Sequence, residues 1–158
     1  MSEATQKAKQ VYDDLCAAIE ARNWHYQKEE EKLLVHFGVS GDDLPMHFAI
    51  AVDAASQYVR LLSPMPFDFP EDKRVEGAIA SCAVNMLLAE GSFDIDLKTG
   101  HAWFRQSVSF CDSTIGDALF QRMISWSCTV IDLFNDLLGA LATGKLSLPA
   151  FLQEINKK

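Results

Sequence analysis

The chain has 158 residues, of which 49% are hydrophobic and 23% are charged, and its formal net charge is −8 at pH 7. This length suits one domain with a single core, and the composition excludes a disordered or fibrous chain. The negative charge argues against nucleic acids and anionic membranes as partners, because their phosphate groups would repel it.

Two features of the sequence place the protein in the cytoplasm. The most apolar stretch, residues 123–141, is interrupted by Asp132, Asn135 and Asp136, so it lacks the run of ~20 apolar residues that crosses a bilayer. The first residues contain no apolar segment of the kind found in secretory signals. We therefore expect a cytoplasmic protein with no membrane partner.

The first part of the chain predicts a helix followed by strands. Apolar residues recur at helical spacing over about the first 20 residues, with Val11, Leu15 and Ile19 on one face, and Asn23 is a typical stop. From residue 24 the period changes to two, which predicts strands at residues 24–28, 33–37, 46–52 and 57–62. A hairpin turn is predicted over residues 40–43. These four strands should form an antiparallel meander that buries one face.

Prolines punctuate the middle of the chain. Pro64, Pro66 and Pro70 each lack a backbone donor, so we expect residues 64–70 to leave the sheet. Pro70 suits the first turn of a helix that ends at Gly91. The residues expected to form the buried stripe of this helix are Val75, Ala78, Ile79, Cys82, Ala83, Met86 and Leu87.

The last part of the chain predicts two strands and two helices. The strands lie at residues 93–97 and 102–110, a long helix follows Asp112 and ends at Ala142, and Ser147 caps a short final helix. The order of elements is therefore α-β-β-β-β-α-β-β-α-α. Because strands group together between helices, this order predicts an α+β fold in which an antiparallel sheet packs against flanking helices. Residues 1–158 should form a single domain.

The long predicted helix carries more apolar surface than a helix needs to pack on one sheet. One line of apolar residues reaches Leu141, and a second line that includes Phe134 and Leu138 lies beside it. Either this helix is sandwiched within one chain, or it forms a seam with a second copy or a partner. Large exposed apolar patches are uncommon on monomers, so we favour the seam and expect a homodimer.

Three stretches carry a resemblance to a known family. They are residues 61–66 (LLSPMP) followed by 70–74 (PEDKR), residues 85–91 (NMLLAEG), and the hairpin 92–100 (SFDIDLKTG) followed by 103–105 (WFR). With the order of elements, they resemble the bacterial YbjN family, whose fold is similar to the type III secretion chaperones. The resemblance spans about residues 10–144. It implies a helix–sheet–helix sandwich, often dimeric, that holds or regulates another protein, and it supplies no catalytic residue.

Cysteines and histidines are present without the spacing of a metal site. The histidines show no ligand spacing, although His36 and His47 should face each other across the hairpin on its polar side, where no third ligand is evident. No Cys-x-x-Cys pair occurs, and we interpret the cysteines as reduced structural residues. They are Cys16, Cys82, Cys111 and Cys128.

Catalytic motifs are not evident either. Asp94 and Asp96 suggest a calcium loop, but Lys98 stands where an oxygen ligand is required. No phosphate-binding loop or nucleophile elbow occurs. We therefore predict a protein that is not an enzyme, with no catalytic residue, cofactor or metal. A hydrolase assembled from scattered residues is the least favoured alternative.

Aromatic and arginine residues dominate binding hot spots, and several here should be accessible. Trp103 lies opposite Phe104 in strand phase, beside Arg105. We predict a non-enzymatic chaperone-like or regulatory protein that binds another polypeptide as a homodimer. The alternative is a small-ligand sensory module with a pocket between sheet and helix. The predicted partner-binding residues are Trp103, Arg105, Phe67, Phe69, Phe134, Leu137, Leu138 and Leu141.

Overall fold

The structure, a computed structural model, describes residues 3–157. Its helices are α1 (Glu3–Glu20), α2 (Arg74–Asn85), α3 (Asp117–Ala142) and α4 (Leu148–Ile155). Its strands are β1 (Tyr26–Glu29), β2 (Leu34–Ser40), β3 (Pro45–Asp53), β4 (Tyr58–Asp68), β5 (Ser92–Ile95) and β6 (His101–Ser109). The predicted order of elements and the α+β class are confirmed. The first two residues of the predicted first helix and residue 158 lie outside the described residues.

All six strands form one antiparallel sheet in the order β1-β2-β3-β4-β6-β5. Side chains of a strand alternate between the two faces of a sheet. In β3 the predicted inward set is buried, and the residues between them are half-buried or exposed. The same alternation holds in β4 and β6. Within residues 3–157 the helices therefore cover one face, the core face, and leave the other face uncovered. We term the second face the open face.

Helices α1 and α3 cover the core face together. α1 buries Val11, Leu15 and Ile19, as its spacing predicts. α3 contacts β4, β6 and each of the other three helices. α3 is therefore sandwiched within one chain, which is the first of the two alternatives for its wide apolar surface. The α3 side chains with 3% exposure or less include Phe120, Met123, Ile124, Val130, Ile131, Phe134, Leu138 and Leu141.

α3 begins later than its sequence indicates. Asp112 was expected to open the helix, but it adopts a left-handed conformation with φ 55°. An aspartate tolerates this conformation better than most residues, so it turns the chain after β6 instead. Gly116 then occupies the N-cap position of α3.

α2 packs with the face opposite to the one predicted. A Cβ atom at Gly77 would lie 2.7 Å from Cδ1 of Phe69, so this glycine permits a close approach that no larger residue allows. The expected core stripe is instead exposed: Val75 is 68%, Ile79 45% and Met86 84% accessible. Small residues thus form the packed face of α2. They are Gly77, Ala80 and Ser81, joined by Val84.

β4 continues through the prolines that were expected to end it. Pro64 pairs with Trp103 of β6, whereas pairing with β3 stops at Leu62 opposite Ala49. The N–H and C=O groups of successive residues in a strand point alternately toward one neighbouring strand and then toward the other. In the register of β4, the backbone groups of Pro64 point toward β3 and not toward β6. A proline has no N–H to give there, but pairing with β6 does not need one. The prolines therefore separate the end of β4 from β3 rather than ending the strand.

One edge of the sheet is closed by a side chain. β5 is the outermost strand, and Asn85 at the end of α2 lies beside it. Its Nδ2 donates to the carbonyl oxygen of Phe93 at 3.0 Å, and its Oδ1 accepts from the Phe93 N–H at 2.8 Å. The amide thus occupies the place of a neighbouring strand, which protects this edge from pairing with another chain.

Candidate functional site

The open face carries a half-exposed tryptophan on β6, the strand next to the β5 edge. Trp103 of β6 lies opposite Pro64 of β4 and opposite Asp94 of β5, and it points away from the core as strand phase predicts. Leu62, which sequence reasoning missed, lies on the same face of β4, two residues before Pro64 and opposite Arg105. In the sequence Leu62 lies within a run of apolar residues, so the alternation of apolar and polar residues that distinguishes the two faces of a strand is not visible there. These residues form an apolar patch on the open face.

Arg105 is held in a fixed orientation beside this apolar patch. Its Nε donates to Oδ2 of Asp94 at 2.6 Å, and one terminal nitrogen lies 3.3 Å from Oγ of Ser92. The hydrogen bond to Asp94 raises the pKa of Arg105. A guanidinium fixed in this way presents a planar, charged surface with little entropy left to lose on binding.

A second cation on the open face was also missed by sequence reasoning. The guanidinium of Arg60 stacks on the Tyr58 ring, 4.9 Å from its centroid, two residues before Leu62 on β4. The Tyr58 hydroxyl accepts a hydrogen bond from Arg60 at 2.5 Å. The only sequence signal was the i, i+2 spacing of an aromatic residue and an arginine on one strand.

The other predicted binding residues lie on the opposite side of the sheet. Phe69 is 1% exposed and meets the half-buried Phe67 edge to face, with 5.9 Å between ring centroids. Phe134, Leu138 and Leu141 are 2% exposed or less, and Leu137 is half-buried. In this conformation the buried four cannot serve as surface anchors, because they fill the core. Of the eight predicted residues, the structure brings Trp103 and Arg105 together on an accessible surface.

All four histidines lie on or beside the open face. Gly38 is paired with His47 and Ala49 with His36, so the two histidines are diagonal neighbours on one face. Nε2 of His36 is 3.0 Å from Oε1 of Glu29. Within residues 3–157 no group of three or more histidine, cysteine or acidic side chains is arranged to hold a metal ion. The other two are His25, which precedes β1, and His101 at the start of β6.

The carboxylates that resemble a calcium loop have structural roles. Asp96 accepts hydrogen bonds from the backbone N–H of Lys98 at 2.8 Å and from Oγ1 of Thr99 at 3.0 Å. The Lys98 bond is the main reason that the pKa of Asp96 is lowered. Asp94 serves Arg105, as described above. The two carboxylates thus fix a turn and an arginine.

The cysteines divide into two groups. Cys16 is buried and Cys128 is half-buried, where burial raises the pKa of its thiol to about 11. Cys82 and Cys111 are exposed, so the expectation of a structural role does not hold for them. Cys82 belongs to the exposed side of α2, for which we use the name α2 stripe. The α2 stripe consists of Val75, Ile79, Cys82 and Met86.

The fold is similar to that of solved structures with little sequence identity to this chain. A crystal structure of YbjN from E. coli matches with a TM-score of 0.62 and 13% identity, over 84% of this chain and 92% of that chain. The chain has this fold. A chain of the HopA1–SchA chaperone–effector complex matches with a TM-score of 0.51 and 15% identity, over 77% of this chain and 89% of that chain. The predicted resemblance is thereby confirmed at the level of the fold.

Sequence comparisons and helix composition add two findings. No protein-family model matches the sequence, and no curated protein matches it. Among the helices of residues 3–157, none combines the length and the apolar character needed to span a bilayer.

Proposed function

We propose that the protein is a non-enzymatic, chaperone-like or regulatory protein of the cytoplasm that binds another polypeptide on the open face of its sheet. The observation that carries this proposal is the uncovered face itself, with Trp103, Leu62 and the fixed Arg105 together on its β4 and β6 strands. Tryptophan and arginine are the residue types most enriched in binding hot spots. The fold shared with a chain of a chaperone–effector complex supports a polypeptide as the ligand.

The arrangement favours a polypeptide over a small molecule. The open face spans all six strands of the sheet, and its apolar residues Leu62 and Trp103 belong to neighbouring strands, β4 and β6. Small-molecule sites are concave and bury most of their ligand. The alternative, a small-ligand module with a pocket between sheet and helix, has its nearest counterpart in the concave surface between α2 and β5, which Cys82, Phe93 and Trp103 line.

Affinity capture from lysate of the native host tests this function when it is combined with a footprint. Wild type, Trp103→Ala and the matched control Leu119→Ala, on α3 and 37% exposed, are compared. We expect one protein to be captured by wild type and control but lost with Trp103→Ala. Hydrogen exchange of the complex should then slow on β4 and β6. Protection confined to other elements, or capture unaffected by Trp103→Ala, would refute the open face as the binding surface.

We further propose a homodimer, formed through the α2 stripe rather than through α3. The α2 stripe is apolar and follows helical spacing, so it presents one continuous ridge. Two chains that each carry a net charge of −8 repel one another, and an uncharged ridge is where they approach at the least cost. A twofold axis would pair the ridge with itself, as most homodimers do.

Exposed Cys82 makes this geometry testable. The midpoint of the α2 stripe lies between Ile79 and Cys82, so antiparallel pairing would offset the two Cys82 residues by about 4.5 Å along the helices at 1.5 Å per residue. A short thiol cross-linker should therefore join two wild-type chains. Cross-linking should persist in Cys111→Ser and disappear in Cys82→Ser. Loss in Cys111→Ser, with retention in Cys82→Ser, would contradict the pairing.

A further inference from the structure

Arg60 differs from the other arginines of residues 3–157 in its partners. It donates a hydrogen bond to the Tyr58 hydroxyl at 2.5 Å and forms no ion pair with a carboxylate of these residues. The chain has 22 acidic residues against 14 lysines and arginines, so an arginine without a carboxylate does not reflect a surplus of cations. The other four are bound to oxygen atoms: Arg22, Arg105 and Arg122 to carboxylates, and Arg74 to the backbone carbonyl groups of residues 97–99.

The guanidinium of Arg60 is held in place and keeps one accessible edge. It stacks on the Tyr58 ring, and its Nη2 donates to the hydroxyl of the same residue. Its Nε is buried and lacks a partner, whereas Nη1 lacks a partner among residues 3–157 without being buried. Nη1 and the second hydrogen of Nη2 can therefore donate to the two oxygens of one carboxylate. Because the ring already restrains the side chain, little entropy is left to lose on binding.

Asp53 is the carboxylate closest to Arg60 in the register of β3 and β4, and it has another role. It lies opposite Tyr58, at the end of β3. Its Oδ1 accepts hydrogen bonds from the backbone N–H groups of Ala55 and Ser56, at 2.9 Å each. The Ser56 bond is the main reason that the pKa of Asp53 is lowered. Asp53 thus fixes the turn between β3 and β4 and forms no ion pair with Arg60.

Ser107 provides a hydroxyl beside Arg60. It is exposed on the open face of β6, directly opposite Arg60. The backbone groups of Arg60 point toward β3, as those of Pro64 do, so Arg60 and Ser107 form a non-hydrogen-bonded pair. The Cα atoms of such pairs are only about 4.5 Å apart, which brings the side chains close together. The Ser107 hydroxyl, which has no hydrogen-bond partner within residues 3–157, can donate to a carboxylate held by Arg60.

The accessible edge of Arg60 lies within reach of the apolar patch. Along the open face of β4, Leu62 and Pro64 follow Arg60, and Trp103 lies opposite Pro64. The four residues from Arg60 to Pro64 span about 13 Å, at about 3.3 Å per residue. An extended polypeptide that lies along β4 and β6 covers this distance in about four residues. One segment can therefore contact the guanidinium and the tryptophan at once.

We propose that Arg60 and Ser107 bind the carboxylate of a glutamate or aspartate in the bound polypeptide, and that an apolar residue about four positions away packs on Trp103. The proposal rests on the proposed function and names the chemistry of its ligand. The permanent charge of Arg60 selects an anion, and its planar edge matches the two oxygens of a carboxylate. A phosphorylated residue would carry nearly twice the negative charge toward Asp53 and Asp94 on the same face. The single cation is therefore matched by a single negative charge.

Nuclear magnetic resonance titration at neutral pH with synthetic peptides tests the proposal. Two capped serine heptapeptides carry phenylalanine at the sixth position and differ only by glutamate or glutamine at the second. Both should shift the amide of Trp103, and the glutamate peptide alone should shift those of Arg60 and Ser107. It should bind about tenfold more tightly than the glutamine peptide, because hydrogen bonds to a charged group are the stronger ones. Equal affinity of the two peptides, or tighter binding of a phosphoserine peptide than of the glutamate peptide, would overturn the proposal.

Matched variants separate Arg60 from the net charge of the chain. Arg60→Gln should reduce the preference for glutamate to less than about twofold, and Arg60→Lys, which keeps the charge without the planar edge, to about threefold. Lys145→Gln removes the same charge from an exposed position between α3 and α4 and should keep the full preference. An equal loss in Lys145→Gln would overturn the site.

Two outcomes distinguish the carboxylate site from the proposed function. If the two peptides bind equally and both lose affinity in Trp103→Ala, the proposed function stands and the carboxylate site falls. If neither peptide binds, the carboxylate site falls, and the lysate capture judges the proposed function separately. Should Arg60→Gln fail to fold, as its melting curve would show, Ser107→Ala takes its place, with a preference lowered about threefold. An unchanged preference in folded Ser107→Ala would remove Ser107 from the site.

Discussion

Replacement of Met86 by alanine should weaken the proposed homodimer strongly. Met86 is the most exposed apolar side chain of the α2 stripe, at 84%. Complete burial of a methionine side chain contributes about 2 kcal/mol, so burial of this exposed fraction contributes about 1.7 kcal/mol per chain. A twofold interface counts the residue twice. Since alanine retains part of the contact, Met86→Ala should cost about 3 kcal/mol of dimerisation free energy.

That loss corresponds to a dissociation constant raised by about a hundredfold, because about 1.4 kcal/mol is a factor of ten. Sedimentation equilibrium across the micromolar range measures it directly. The wild-type mass should approach twice 17.6 kDa, and the variant should remain near 17.6 kDa at the same concentrations. Far-ultraviolet circular dichroism confirms that the variant is folded.

Leu133→Ala is the matched control for this measurement. Leu133 is 42% exposed and lies on α3, the helix whose apolar surface first suggested a seam. We expect this variant to change the dissociation constant by less than about twofold, since Leu133 lies outside the α2 stripe. A large effect of Leu133→Ala together with a small effect of Met86→Ala would refute the assignment to α2. A wild-type mass of 17.6 kDa at every concentration would refute the dimer itself.

Four further variants test stability. Asn85→Ala should lower the free energy of unfolding by about 1–3 kcal/mol in urea titrations, since two backbone groups of β5 lose their partner; a loss below about 0.3 kcal/mol would show that water replaces the amide. Gly100→Ala should cost at least about 3 kcal/mol, because φ is +83° and the added Cβ would lie 2.0 Å from a backbone oxygen. Gly144→Ala, with φ +74° and nothing within 4 Å, should cost only about 1–2 kcal/mol, and equal losses would contradict the steric reason. Burial raises the pKa of Asp132, so its charge destabilises the fold at pH values above the raised pKa. Asp132→Asn should therefore raise the melting temperature at neutral pH but not below the unfolded pKa of 3.8, and a gain that is the same at both would contradict this.

The spacing of apolar residues predicted those helices and strands that bury one face only and whose buried face consists of large apolar side chains. In α1 and β3 the apolar residues are also the buried ones, so both elements were predicted with the correct inward face. Ser147 was a reliable signal as well, because its side chain accepts a hydrogen bond from the Ala150 N–H at 3.4 Å and caps α4. These signals could be interpreted from the sequence because interactions between residues close together in the chain determine them.

The errors arise where contacts between distant residues decide the outcome. α2 packs through Gly77 against Phe69, so the small residues are buried and the large apolar ones are exposed, which reverses the usual inference from hydrophobicity. Pro64 did not end β4, because its missing N–H would have pointed toward β3, and β4 is no longer paired with β3 at this position. The pairing of β4 with β6 continues without it. The separation of β4 from β3 beyond Leu62 could not be predicted either, because it depends on which strand each backbone group of β4 faces. Of the candidate site, Trp103 and Arg105 could be predicted from strand phase.

Because the amide of Asn85 occupies the backbone groups of β5, the accessibility of this sheet edge depends on the last turn of α2. The side chain blocks the edge only while the last turn of α2 is formed, and helix ends are the segments that open most readily. Fraying of this turn would bare the backbone groups of Phe93 without disturbing any strand of the sheet. We therefore expect strand addition at β5 to follow local opening of α2 rather than global unfolding.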